Sequence, residues 1–169
     1  ARRIYQFCMI PSIAMMQTVN TFVSQNYGAR KPERIRRSMK YSYLYTAALT
    51  VIITVLVWSF APYMIRWISG SDETKVLENG MLYLRIVSPC YVILGLLNNT
   101  RTALQSIGEK ILPVLSSVIE LFGKIIFTAV LVPRFHYIAV IVCEPVIWCL
   151  MVAELFAAFW LNPFIRGKG

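Results

Sequence analysis

The chain has 169 residues, with 17 Lys and Arg against 8 Asp and Glu, 57% hydrophobic side chains and a mean hydropathy of +0.60. That apolar share exceeds what an ordinary soluble domain carries, and a soluble core does not account for two neighbouring charge-free runs, residues 4–29 and 41–65. The net charge of +9 raises nucleic acid as a partner. The basic residues sit mainly in loops beside apolar spans, however, which points to membrane orientation and anionic lipid and argues against nucleic acid.

A hydrocarbon core roughly 30 Å thick is crossed by about 20 apolar helical residues, so both runs are long enough to span it. The first predicted span covers residues 4–27 and contains Pro11, which a transmembrane helix tolerates where neighbours or water satisfy the freed carbonyl. Gln17, Thr18, Asn20, Ser24 and Gln25 make it too polar for a helix facing lipid alone. Burial against protein or beside water follows. Residues 28–40 read as a loop with six cations (Arg30, Lys31, Arg34, Arg36, Arg37, Lys40) and one acid, Glu33. Such loops stay cytoplasmic.

The second span, 41–67, places Trp58, Tyr63 and Trp67 at its far end as an interfacial belt, followed by a polar turn, SGSDETK, with Gly70 as breaker. The third, 80–105, carries Arg85, Pro89, Gly95, Asn98, Asn99 and Arg101. After the QSIGEK turn, the fourth span, 111–132, holds Glu120 and Lys124; a turn at PRFHY leads to the fifth, 138–161, with Glu144–Pro145 inside it. The tail, NPFIRGKG, is polar and basic.

The expected fold is an all-α, polytopic transmembrane bundle of about five helices, with short connections that make consecutive helices antiparallel. The strand alternation of a membrane barrel is missing. Ten basic residues then fall inside and six outside, with Lys124 in mid-span; the first loop dominates the bias. The location implied is a plasma or inner membrane, crossed several times. The N-terminal ARRIYQF shows no signal-peptide pattern and is expected to continue an upstream segment.

An ionisable group at the bilayer centre costs about 2.5 to 3.5 kcal/mol to insert. Glu120 and Lys124, four residues apart, share one helix face. They are either a self-neutralising pair or a proton or cation site facing a cavity. Asn98, Asn99 and Thr100, with Arg101, either hydrogen-bond between helices or wall a polar cavity. Together with Gln17 and Asn20 these residues make the candidate ion and substrate cavity: Gln17, Asn20, Asn98, Asn99, Glu120 and Lys124.

Glu144, directly before Pro145, reads as a capping carboxylate at a break or helix start. His136 reads as an ordinary solvated turn residue, and Met15, Met16, Tyr41, Tyr43 and Tyr45 as packing. The four cysteines (Cys8, Cys90, Cys143, Cys149) show no CxxC spacing and accompany a single His, so free thiols are expected and a metal site is not. No nucleophile–base set or catalytic motif is present, and no enzyme is expected.

The run RIYQFCMIPSIAMMQTVNTFVSQNYGARKPERIRRS resembles the MATE (multidrug and toxic compound extrusion) family at the end of its eighth helix and the basic loop beyond. The likeness continues through YLRIVSP, the ALQSIGEK turn and EPVIW, and covers essentially the whole chain in order. It implies the second lobe of a two-lobed transporter, with the first lobe as its partner about a central cavity. Such transporters export cationic, amphipathic small molecules in exchange for H⁺ or Na⁺ and need no organic cofactor; both halves rock about one site. Sodium-coupled members carry an acid in the middle of helix ten, near Leu94 here, whereas no Asp or Glu lies between Glu78 and Glu109. Coupling through an acid of the first lobe, as in DinF-like members, is the alternative. Two other functions compete: a lipid-linked oligosaccharide flippase, which a large basic cavity would favour, and a non-transporting membrane scaffold, which would have no water-accessible cavity.

Overall fold

The computed structural model describes the backbone of residues 2–69 and 74–167, with side chains at 2–9, 61–62, 64–69, 74–77, 79, 132, 134–138 and 140 left aside. The expectations for Arg2, Arg3, Cys8, Arg66, Trp67, Lys75, Arg134 and His136, and for most of the SGSDETK turn, lie outside the described residues. Five α-helices follow one another: α1 Arg2–Gly28, α2 Pro32–Ser69, α3 Thr74–Ser106, α4 Ile111–Ile126 and α5 Val132–Leu161, with a π-helical stretch, Phe127–Leu131, between the last two. Among the described residues there is no strand.

Among the described residues, four stretches are long and apolar enough to cross a membrane: Pro32–Phe60, Gly80–Ser106, Ile111–Leu131 and Ile141–Leu161. The second half of α1 is interrupted by Gln17, Thr18, Asn20, Thr21, Ser24, Gln25 and Asn26. Of its apolar positions at that end, Val19 and Val23 are fully buried against the core, whereas Phe22 and Tyr27 are exposed.

The basic segment is shorter as a loop than the sequence implies. Residues 32–40 belong to α2, which begins at Pro32, a residue whose fixed φ suits the first helical turn. Ile35 and Met39, four apart, are completely buried, whereas Arg34, Arg37 and Lys40 are exposed. An amphipathic face therefore carries the helix out of the apolar layer, at a period the charge count alone does not reveal. The true link is Ala29–Lys31. There Arg30 takes a left-handed φ of 52°, and Lys31 N–H donates to Asn26 O at 2.9 Å, closing the end of α1.

α3 is the hub, packed on α2, α5 and α1. Its antiparallel seam with α2 is close because Gly95 faces Thr46, where a methyl group would collide with Thr46 Cγ2. Leu94, Leu97, Ala103 and Leu104 of α3 join Ile147, Met151, Leu155 and Phe159 of α5 in the main core. Tyr91 lies 6.4 Å from Trp148 between ring centroids.

Two sequence expectations change at α5. Residues 133–137 have helical backbone, preceded by the π-helical stretch, where a plain turn was expected. The chain still folds back on itself, since a side chain at Gly123 would meet Ile147. Pro145 neither breaks nor starts a helix: α5 runs through it, so Glu144 is mid-helix and caps nothing. The carbonyl freed by proline in such helices is tolerated where packing or bending re-satisfies it.

Candidate functional site

The six candidate residues fall in three separate places. On the α2–α3 seam, buried Asn99 donates both amide hydrogens across the interface, to Ser42 Oγ at 2.9 Å and Thr46 Oγ1 at 2.8 Å. One residue on, Thr100 donates to Leu96 O at 2.7 Å, so the 2.9 Å contact with Tyr43 is donated by the phenol. Trp58 extends the seam by donating to Ser88 Oγ at 2.9 Å. These bonds satisfy polar groups that lipid could not, and each is worth about 0.6 and up to roughly 1.7 kcal/mol. Asn98, beside Asn99, is half-buried.

On α1, Gln17 and Asn20 are exposed. Asn20 Oδ1 accepts from Ser106 Oγ at 2.8 Å, tying α1 to the end of α3. A groove of about 600 Å³ opens between α1 and α2, lined by Pro11, Ala14, Met15, Thr18, Phe22, Ser38, Tyr41, Ser42 and Tyr45. None of these side chains is charged.

On α4, Lys124 Nζ donates to Glu120 Oε1 at 2.7 Å, the intrahelical pair its spacing suggests. Glu144 of α5 lies within electrostatic reach of the same ammonium, whose hydrogen bond goes to Glu120. The surrounding face of α4 is apolar and outward: Leu121, Phe122, Ile125 and Ile126 are each more than half exposed.

A fourth cluster was not among the candidates. Arg101 of α3 donates from Nη2 to Ser116 Oγ of α4 at 2.8 Å, and Ser116 is fully buried. Arg101 Nε is shut off from solvent without a hydrogen-bond acceptor. Within electrostatic reach of it on α5 is Glu154, both of whose carboxylate oxygens are buried and unpartnered. Glu154 is legible in the sequence as an acid inside an apolar span, a position that marks function by its cost, but it is not among the six candidates. Arg101 was noticed, but its partner, 53 positions further on in the chain, was not.

The MatE family model matches residues 1–130, from α1 to the π-helical stretch. The chain belongs to the MatE family. Among curated proteins and solved structures, no significant match is found. Members of this family are transporters, and membership together with four long apolar helices among the described residues makes this a MATE-type, multi-pass membrane protein. In a MatE protein the buried polar groups above sit within helices that lipid surrounds, where each must be satisfied internally or used. Asn99 and Thr100 are satisfied. Glu154 is not.

Proposed function

We propose that this chain forms one lobe of a cation-coupled efflux antiporter that exports cationic, amphipathic small molecules in exchange for H⁺ or Na⁺, working with a first lobe of the same transporter. The groove between α1 and α2 carries the proposal. At about 600 Å³ it is the size of a small-molecule site, and its walls are Met15, Phe22, Tyr41 and Tyr45 with the hydroxyls of Thr18, Ser38 and Ser42. Aromatic faces attract cations, and Met adapts to varied shapes. An oligosaccharide pyrophosphate would want the opposite lining, rich in Lys and Arg, and a scaffold subunit would fill the groove with protein contacts. Neither is favoured by this lining.

The test is transport by the intact two-lobed protein in liposomes. A fluorescent cationic amphipath should accumulate against its gradient when a proton or sodium gradient is imposed, and stop when the gradient is collapsed. Gradient-independent leakage alone, or binding of lipid-linked sugar in place of drug, would remove the antiporter reading.

A further inference from the structure

We propose that Glu154 is a proton-binding residue, held beside Arg101 and Ser116 at the meeting of α3, α4 and α5, and that it changes partner as it gains or loses its proton. This rests on the antiporter reading for its role in transport, though not for its chemistry.

The argument starts from the mismatch in the cluster. A carboxylate and a guanidinium that face each other normally form a short, paired hydrogen bond. Here Arg101 gives Nη2 to the neutral hydroxyl of Ser116, at 2.8 Å, while its Nε and both Glu154 oxygens stay buried and unpartnered. Ser116 is fixed in turn by donating to Pro113 O at 2.8 Å, so its lone pairs point at the guanidinium. A buried carboxylate lacking any donor is unfavourable as an anion and is relieved by a proton or a charged partner. Both remedies lie within the cluster.

The two states balance simply. In one, a proton from water forms an O–H bond on Glu154 and the neutral acid sits apart from Arg101, which stays charged and held by Ser116. In the other, that O–H bond breaks, the proton returns to water, and the carboxylate takes the guanidinium from Ser116. Because Arg101, Ser116 and Glu154 lie on three different helices, the exchange draws α3 toward α5 and loosens α3 from α4.

The surroundings add few competing charges. Packed on α5 are α3, α4, the π-helical stretch and, through Tyr43 stacked on Phe156 at 5.0 Å between ring centroids, α2. From α3 the charge acting on Glu154 is Arg101; α4 carries Glu120 and Lys124, bonded to each other; α2 brings the phenol of Tyr43, which is engaged with Thr100; and the π-helical stretch has no ionisable residue. On α5 itself the nearest ionisable side chains are Cys149 and, further off, Glu144. The cluster lies near the basic end of the bundle: Arg101 is five residues before the end of α3, and Glu154 seven before the end of α5. That is about 8 to 10 Å along the helix axes, a depth one or two waters could bridge.

Difference infrared spectroscopy of the intact transporter in membranes, recorded across a pH titration, tests this directly. The carbonyl stretch of a protonated carboxyl should be present, shift in D₂O, and vanish in Glu154→Gln. In Ser116→Ala, where Arg101 is freed to pair with the carboxylate, the same signal should weaken; this change leaves the acid itself in place and guards against a folding defect in Glu154→Gln. Loss of proton-gradient-driven export in Glu154→Gln, with substrate exchange at equal pH retained, would tie the residue to coupling. An unchanged carboxyl spectrum in Glu154→Gln overturns the proposal, as does export by that variant at the full wild-type rate. Absence of transport in the wild type with the carboxyl signal intact would instead sink the antiporter reading alone.

Discussion

Asn99 of α3 donates to Thr46 Oγ1 of α2 at 2.8 Å, and its second amide hydrogen goes to Ser42. No leucine-like residue could replace it without leaving two buried hydroxyls short of a partner. Asn99→Leu should therefore lower stability by about 1 to 3 kcal/mol, two interhelical bonds at membrane values. Thermal unfolding in detergent reads this as a lower Tm, whereas Asn98→Leu on the half-buried neighbour should move it less.

Four residues earlier on the same seam, Gly95 lies against Thr46 Cγ2. The added methyl of Gly95→Ala should push the helices apart, at an overpacking cost of about 1 to 3 kcal/mol. Thr46→Ser removes Cγ2 and keeps the hydroxyl that Asn99 uses. The double variant should recover most of the lost Tm, an outcome that a general glycine effect would not give.

The acid first singled out from the sequence should matter less to coupling than Glu154. Lys124 holds Glu120 at 2.7 Å and also lies within reach of Glu144. After Glu120→Gln the ammonium still has the Glu144 carboxylate within electrostatic reach, so gradient-driven efflux should change by less than about twofold, in line with the small worth of accessible helix pairs. Abolished coupling with normal expression would restore Glu120 as an ion site.

Filling the groove between α1 and α2 should cut export without unfolding the protein. Thr18 is exposed on α1 and lines the groove. Thr18→Trp places a ring where a bulky cation would sit, and a roughly tenfold rise in apparent KM is expected, equivalent to about 1.4 kcal/mol of lost binding. A small cation should be affected less than a large one, which dose–response curves for two substrates of different size would show.

The basic turns of α2 are expected to stay on the cytoplasmic side. A single cysteine at Lys31, in a background without the native cysteines, should be labelled by an impermeant maleimide in inside-out vesicles and spared in intact cells. Labelling from outside would reverse the whole topology.

Much of this architecture was written locally. Charge-free runs of sufficient length between polar turns are enough to mark spans, because lipid tolerates neither open backbone nor unpaired charge. The i,i+4 spacing of Glu120 and Lys124 similarly announces their pair, which needs only one helix to form. Other features depended on period rather than composition. The buried stripe of Ile35 and Met39 turns a supposed loop into the first turns of α2, and the helix continues through Pro145 despite its missing donor.

The sequence by itself determined that this chain is helical, built for lipid and related to the MatE transporters, since hydrophobic length and a basic bias are properties of segments read one at a time. Only the tertiary structure decided which buried polar residues are satisfied: it gave Asn99 two hydroxyls on α2 and Arg101 a hydroxyl on α4, and left the oxygens of Glu154 with none. Those outcomes join residues 15 to 57 positions apart. They follow from how α3 is surrounded, because hydrogen bonding in an apolar layer is settled by which helix faces which, and no local pattern encodes that.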